Sequence, residues 1–88
     1  MSKYLIELPH TKEECLRALD ETRGSNRELL PLIDWGCSAG NHNGWVTVDA
    51  VDEFGARSRV GSEFLRGKAV VTKVDKVTEA QIESYHKM

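Results

Sequence analysis

The stretch from Trp35 to Ala50 constrains this chain more than any other part of it. Residues 45–50 alternate strictly, with Val46, Val48 and Ala50 on one side and Trp45, Thr47 and Asp49 on the other. A period of two is that of a strand with one face buried. Ile33 to Cys37, just upstream, reads as a second strand, and Asn43-Gly44 is a dipeptide that tolerates positive φ and favours tight hairpins. An antiparallel hairpin is expected here, so the rest of the chain must supply the layer that covers its apolar side.

With 88 residues there is room for a single domain, 1–88, around one core. Such a domain buries roughly 60–65% of the surface of its unfolded chain. The first strand is expected over Lys3 to Leu8, with Tyr4, Ile6 and Leu8 facing one way and Leu5 and Glu7 the other, and with Pro9 ending it. Thr11 to Glu14 fits a capping box opening a helix, in which Cys15, Leu16, Leu19 and Thr22 form the buried stripe. Ser25 to Glu28 repeats the capping pattern before a short turn that Pro31 ends. Residues 52–66 carry a helical stripe, against which Gly55 and Gly61 each count about 1 kcal/mol; an extended hairpin turning at Glu53-Phe54-Gly55 competes. Ala69 to Val74 is rich in β-formers, and Thr78 to Gln81 is a third capping box, for a short terminal helix with Ile82 and Tyr85 on its apolar side.

The order is β–α–β–β–α–β plus a terminal helix. This predicts an α+β, ferredoxin-like fold: a four-stranded antiparallel sheet with two helices on one face. The other face is left open and would carry Leu5, Glu7, Trp45, Thr47, Asp49 and Lys73. Trp35 and Cys37 share a face of the second strand, but alternation does not say which. Two uses of the open face are expected: a homodimer contact, or a half-polar cavity for a small molecule with Trp35, Cys37, His42 and Trp45 as ligand-binding residues.

Composition removes several function classes. The formal charge of -2 gives no electrostatic reason to expect nucleic acid. Arg57, Arg59, Arg66 and Lys68 fall close together, as a solvated surface or an anion site. The first ten residues hold no long apolar run, so neither export nor a membrane anchor is expected, and the two cysteines are expected as reduced thiols in the cytoplasm.

His10 and Cys15 flank the first helix start at the two positions that meet in a hydrophobic staple, a sufficient reason for both residues. A thiol in a first helical turn beside a histidine can also be reactive. Cys37 and His42 lie across the hairpin, where a buried thiol and an exposed loop imidazole would serve. Together the four offer two thiols and two imidazoles, an inventory that suits a transition metal such as zinc, although no spacing matches a common ligand pair. Gly36, Gly40 and Gly44 lead into a strand rather than a helix, and residues 61–68 miss the phosphate-loop pattern, so neither cradles a nucleotide. Glu7, Asp49 and His42 are the catalytic candidates for proton transfer.

Four stretches, Leu8 to Leu16, Trp35 to Gly44, Phe64-Leu65-Arg66 and Thr78 to His86, together resemble a group of small uncharacterised proteins of the dimeric α/β-barrel class. A more distant similarity reaches muconolactone isomerase. The resemblance implies a ferredoxin-like subunit, sheet-to-sheet dimerisation, and a pocket between sheet and helices or at the interface. It implies no particular activity and carries over no catalytic residue. The readings are a dimeric binder of a small molecule or metal, a small isomerase or cofactor-free oxygenase, and a module whose open face only dimerises.

Overall fold

The computed structural model of the chain describes residues 1–87. Its strands are β1 (Ser2–Glu7), β2 (Asp34–Trp35), β3 (Gly44–Ala50) and β4 (Val70–Lys73). Its helices are α1 (Cys15–Ser25), α2 (Glu53–Arg57), α3 (Glu63–Arg66) and α4 (Glu79–His86). The architecture is α+β, with one four-stranded sheet in the order β2-β3-β1-β4 and every pairing antiparallel. None of the described helices is long and apolar enough to cross a membrane.

The central register sets Tyr4 opposite Val48, Ile6 opposite Val46 and Glu7 opposite Trp45. The expected alternation of β1 and β3 therefore holds: Tyr4, Ile6, Val46, Val48 and Ala50 are buried on one face. Ala18 from α1, Ala56 from α2, Leu65 from α3, and Leu8, Leu29, Ile33, Val60 and Ala69 from the connections complete the core.

Two of the three capping boxes form. Thr11 N–H donates to Glu14 Oε1 at 2.9 Å and Glu14 N–H donates to Thr11 Oγ1 at 3.2 Å, one turn ahead of α1. Thr78 and Gln81 do the same for α4. At Ser25–Glu28 no box forms: Ser25 is still the last residue of α1 and the Glu28 carboxylate accepts from Asn26 Nδ2 at 3.3 Å, while Asn26 Oδ1 accepts from the Gly61 N–H.

That bond also accounts for the expected 52–66 helix being two. Asp52 caps α2 through the Gly55 N–H and Ser62 caps α3 through the Leu65 N–H. Between them the backbone passes hard against the end of α1: a Cβ on Gly61 would lie 2.6 Å from the Ser25 carbonyl oxygen. A continuous helix would lose this contact and the burial of Val60.

Three further expectations are corrected. In α1, Leu16 is 69% exposed and Ala18 takes its place in the buried stripe, so the helix meets the core through a small residue and can sit close to it. Lys73 pairs with Tyr4 and so belongs to the helix side, while Val70 and Thr72 complete the open face beside Glu7 and Leu5. The turn does not lie at Asn43-Gly44. β2 stops at Trp35, a 3₁₀ turn covers Cys37–Ala39, and Gly40 takes the positive φ of 87°.

Leu65 is 1% exposed and Leu16 is not part of the core. Leu65→Ala is expected to cost about 2–5 kcal/mol and Leu16→Ala no more than about 0.5 kcal/mol, read from urea unfolding of the two variants.

Candidate metal centre

β1 does not stop interacting with β3 at Glu7. Leu8 N–H donates to the Gly44 carbonyl at 2.9 Å and His10 N–H donates to the His42 carbonyl at 3.1 Å. Pro9 falls between these two donors. β4 begins at Val70, opposite Glu7, so an N–H at residue 9 would have had no strand to bond. The prolonged ladder sets His10 opposite His42, and their ring centroids are 5.9 Å apart. Both belong to the covered face; His10 is buried and lies 6.1 Å, ring to ring, from Trp35, which packs on the core.

The capping box brings in the first thiol. It reverses the chain after His10 and places Cys15 at the first residue of α1, in the staple position next to that ring. The second thiol comes from the Cys37–Ala39 turn, whose Cys37 Sγ lies 3.3 Å from His10 Nε2. One ligand atom from each of His10, Cys15, Cys37 and His42 falls within 4.8 Å of the other three.

His10 is held in one tautomer. Its Nδ1–H donates to the Leu8 carbonyl at 2.9 Å, which leaves the Nε2 lone pair directed at Cys37. Metal-binding histidines are oriented in this way, by a backbone carbonyl on the far nitrogen. His42 Nδ1 is buried without a hydrogen-bond partner among the described residues. Burial pushes the Cys37 thiol up from its ordinary 9.0, and the neighbouring Cys15 thiol adds to the shift.

The structure unites the four metal candidates but not the other proposed sites. Trp35 and Trp45 lie on opposite faces of the sheet, since Trp35 pairs with Gly44 and Trp45 with Asp34. Gly44 is where this matters: a Cβ there would sit 2.9 Å from the Trp35 ring, so the indole lies flat on the strand. Trp45 donates to Glu7 Oε1 at 3.3 Å on the open face. Asp49 lies opposite Lys3, four residues along β3 and so about 13 Å from the Glu7–Trp45 pair. His42 is on the covered face. The structure therefore does not bring the three proton-transfer candidates together, and the sheet divides Trp45 from Trp35 and His42. His42 is half-buried, not the exposed loop imidazole that its position in the sequence allowed.

Two members of the basic cluster, Arg57 and Lys68, are engaged in structure. Arg57 donates to the carbonyls of Arg66 and Ala69 and pairs with Glu53, and Lys68 pairs with Glu14. Lys68 and Arg17 also stand over the Phe64 ring, at 4.8 Å and 3.9 Å from its centroid.

Comparison of the chain with protein-family models, with curated proteins and with solved structures returned no match.

Glu14 links the turn ahead of α1 to the connection between α3 and β4. The Lys68 ammonium, with the Thr11 backbone N–H, lowers its carboxyl from 4.5 to about 2. A carboxyl depressed by folding adds stability above its unfolded value, and that stability disappears as pH falls toward the folded value. Thermal melts stepped from pH 5 to pH 2 are therefore expected to show a loss across 4.5 to about 2 that is smaller in Glu14→Gln. An identical acid profile in the variant would contradict the Glu14–Lys68 linkage.

Proposed function

We propose that the chain binds one thiophilic divalent cation, zinc foremost, through His10, Cys15, Cys37 and His42. The observation that carries this reading is the convergence of two sulfurs and two imidazole nitrogens within 4.8 Å. A tetrahedral zinc with bonds of about 2.0–2.3 Å sets its ligands roughly 3.3–3.8 Å apart. The 3.3 Å from His10 Nε2 to Cys37 Sγ already matches such an edge, and the remaining adjustment is on the order of 1 Å. Two thiolates and two imidazoles suit zinc, cobalt(II) or nickel(II) and not magnesium or calcium, which take oxygen. Four protein ligands complete the usual shell of a structural site, so the reading is of binding rather than of metal-assisted hydrolysis.

The test is titration of reduced, metal-free protein with cobalt(II) and then zinc. One cobalt per chain is expected, with the visible bands of tetrahedral thiolate coordination, displaced by one zinc. Zinc at 100 times its Kd should stabilise the fold by about 2.7 kcal/mol, a rise in Tm of roughly 10–20 °C for a domain of this size. Cys37→Ser should weaken binding by more than the ~10–100-fold typical of outer-shell losses. Absence of a cobalt spectrum in the reduced protein would remove the reading.

A second reading concerns the assembly. The strand order, with a helix between β1 and β2 and helices between β3 and β4, supports a ferredoxin-like subunit that pairs through its open face. What favours pairing is the apolar surface left uncovered: Leu32 and Val70 at the sheet, Val77 just ahead of α4, and Ile82 and Tyr85 on it. An eight-residue helix is marginal in water without cover. Light scattering on a sizing column is expected to give twice the chain mass at micromolar concentration, and a monomer there would refute the dimer.

A further inference from the structure

We infer that this centre is also a thiol–disulfide switch, in which oxidation joins Cys15 to Cys37 and expels the cation; the inference rests on the metal reading above. Cys15 and Cys37 are the only cysteines in the chain, so one intramolecular disulfide is possible. Their sulfurs lie within 4.8 Å of each other, and both residues are half-buried, within reach of a small oxidant.

The two states exclude each other by geometry. Sulfurs that share a tetrahedral zinc are about 3.8 Å apart, whereas a disulfide needs about 2.05 Å. A bonded pair of sulfurs no longer supplies two thiolates, and His10 and His42 alone make half a coordination shell. Neither cysteine lies in the sheet. Cys15 is the first residue of α1, and Cys37 opens a short turn between Gly36 and Gly40, so the sulfurs can close without breaking a strand pairing.

With a hydroperoxide as oxidant, one thiolate attacks its terminal oxygen and breaks the O–O bond; that oxygen stays on sulfur as a sulfenic acid, and the alkoxide or hydroxide that leaves takes up a proton as alcohol or water. The second thiolate attacks that sulfur and hydroxide leaves, taking up a proton as water. Two electrons pass from the sulfurs to the peroxide, one S–S bond forms, and the cation departs with its charge of two.

The experiment uses the zinc-loaded full chain, hydrogen peroxide, a colorimetric zinc chelator and intact mass after alkylation. One zinc released per chain is expected, in step with a product two hydrogens lighter that has no alkylated thiol. A peptide linking Cys15 to Cys37 should be recovered, and a thiol reductant should restore zinc uptake. Cys15→Ala should yield no such product. Zinc retained in a disulfide-bonded chain, or released only with sulfinic or intermolecular products, overturns the switch while leaving the metal reading intact. Reduced protein that takes up no zinc overturns both.

Discussion

The antiparallel register of β1 on β3 governs where almost every other group in this protein falls. Pairing Ile6 with Val46 buries one side of both strands and commits Leu5, Glu7, Trp45 and Thr47 to the other. Slipping by one residue would exchange the two faces entirely. The same register runs past the ends of the strands, through Leu8 and Gly44, to set His10 opposite His42. Two imidazoles thus meet for the same reason that two valines and an isoleucine do. The chemistry of the centre extends the packing of the sheet.

Around that fixed pair the thiols arrive by local devices. The Thr11–Glu14 box turns the chain so that Cys15 returns to His10, and its Glu14 carboxylate is then engaged by Lys68 from the start of β4's connection. Cys37 is delivered by the tight turn that ends β2, anchored where Gly36 N–H donates to the Asn43 carbonyl at 3.0 Å. Three separate segments therefore converge: the extension of β1, the first turn of α1, and the loop between β2 and β3. Each is held by its own backbone hydrogen bonds. The cluster is prearranged rather than dependent on a ligand to assemble it.

How much of this could be read beforehand follows the range of the interactions involved. The boxes at Thr11 and Thr78 are legible because three-residue patterns are satisfied within themselves. The pattern at Ser25 misleads because α1 runs on through Ser25 and Asn26 takes the Glu28 carboxylate; Asn26 also accepts from Gly61, 35 residues away, and no local rule contains that bond. The split of the 52–66 helix has the same origin. His10 and Cys15 were legible as neighbours through the staple, and all four donors as an inventory. Their union was not, because familiar metal motifs place ligands in pairs along one segment, whereas here His42 joins His10 across strands and Cys37 joins from a loop. The missing signal was parity: carrying the alternation of Tyr4, Ile6 and Leu8 two residues further, across Pro9, puts His10 on the covered face. The turn signal at Asn43-Gly44 concealed it by suggesting that the ladder ended there. In fact Gly44 is small because the Trp35 ring rests on it.

Packing alone is a poor explanation of the cluster. A half-buried site filled only for cohesion is better served by side chains like the neighbouring Leu8 and Ile33, with no polar atoms to satisfy. Here His42 Nδ1 lacks a partner, a deficit that typically costs about 1–3 kcal/mol. The Cys37 thiol resists ionising because of its burial and the second thiol beside it. Each of these features is unfavourable taken singly, and the divalent cation proposed above would reverse them together. Under the proposal it would take a lone pair from each imidazole, hold both sulfurs as thiolates and cancel their charge. It would also tie the loop and the helix start to the central strand, in a domain whose size permits only a modest core. The unpartnered imidazole nitrogen, the two adjacent thiols and the affinity proposed for a thiophilic cation are, on this reading, consequences of the same four side chains.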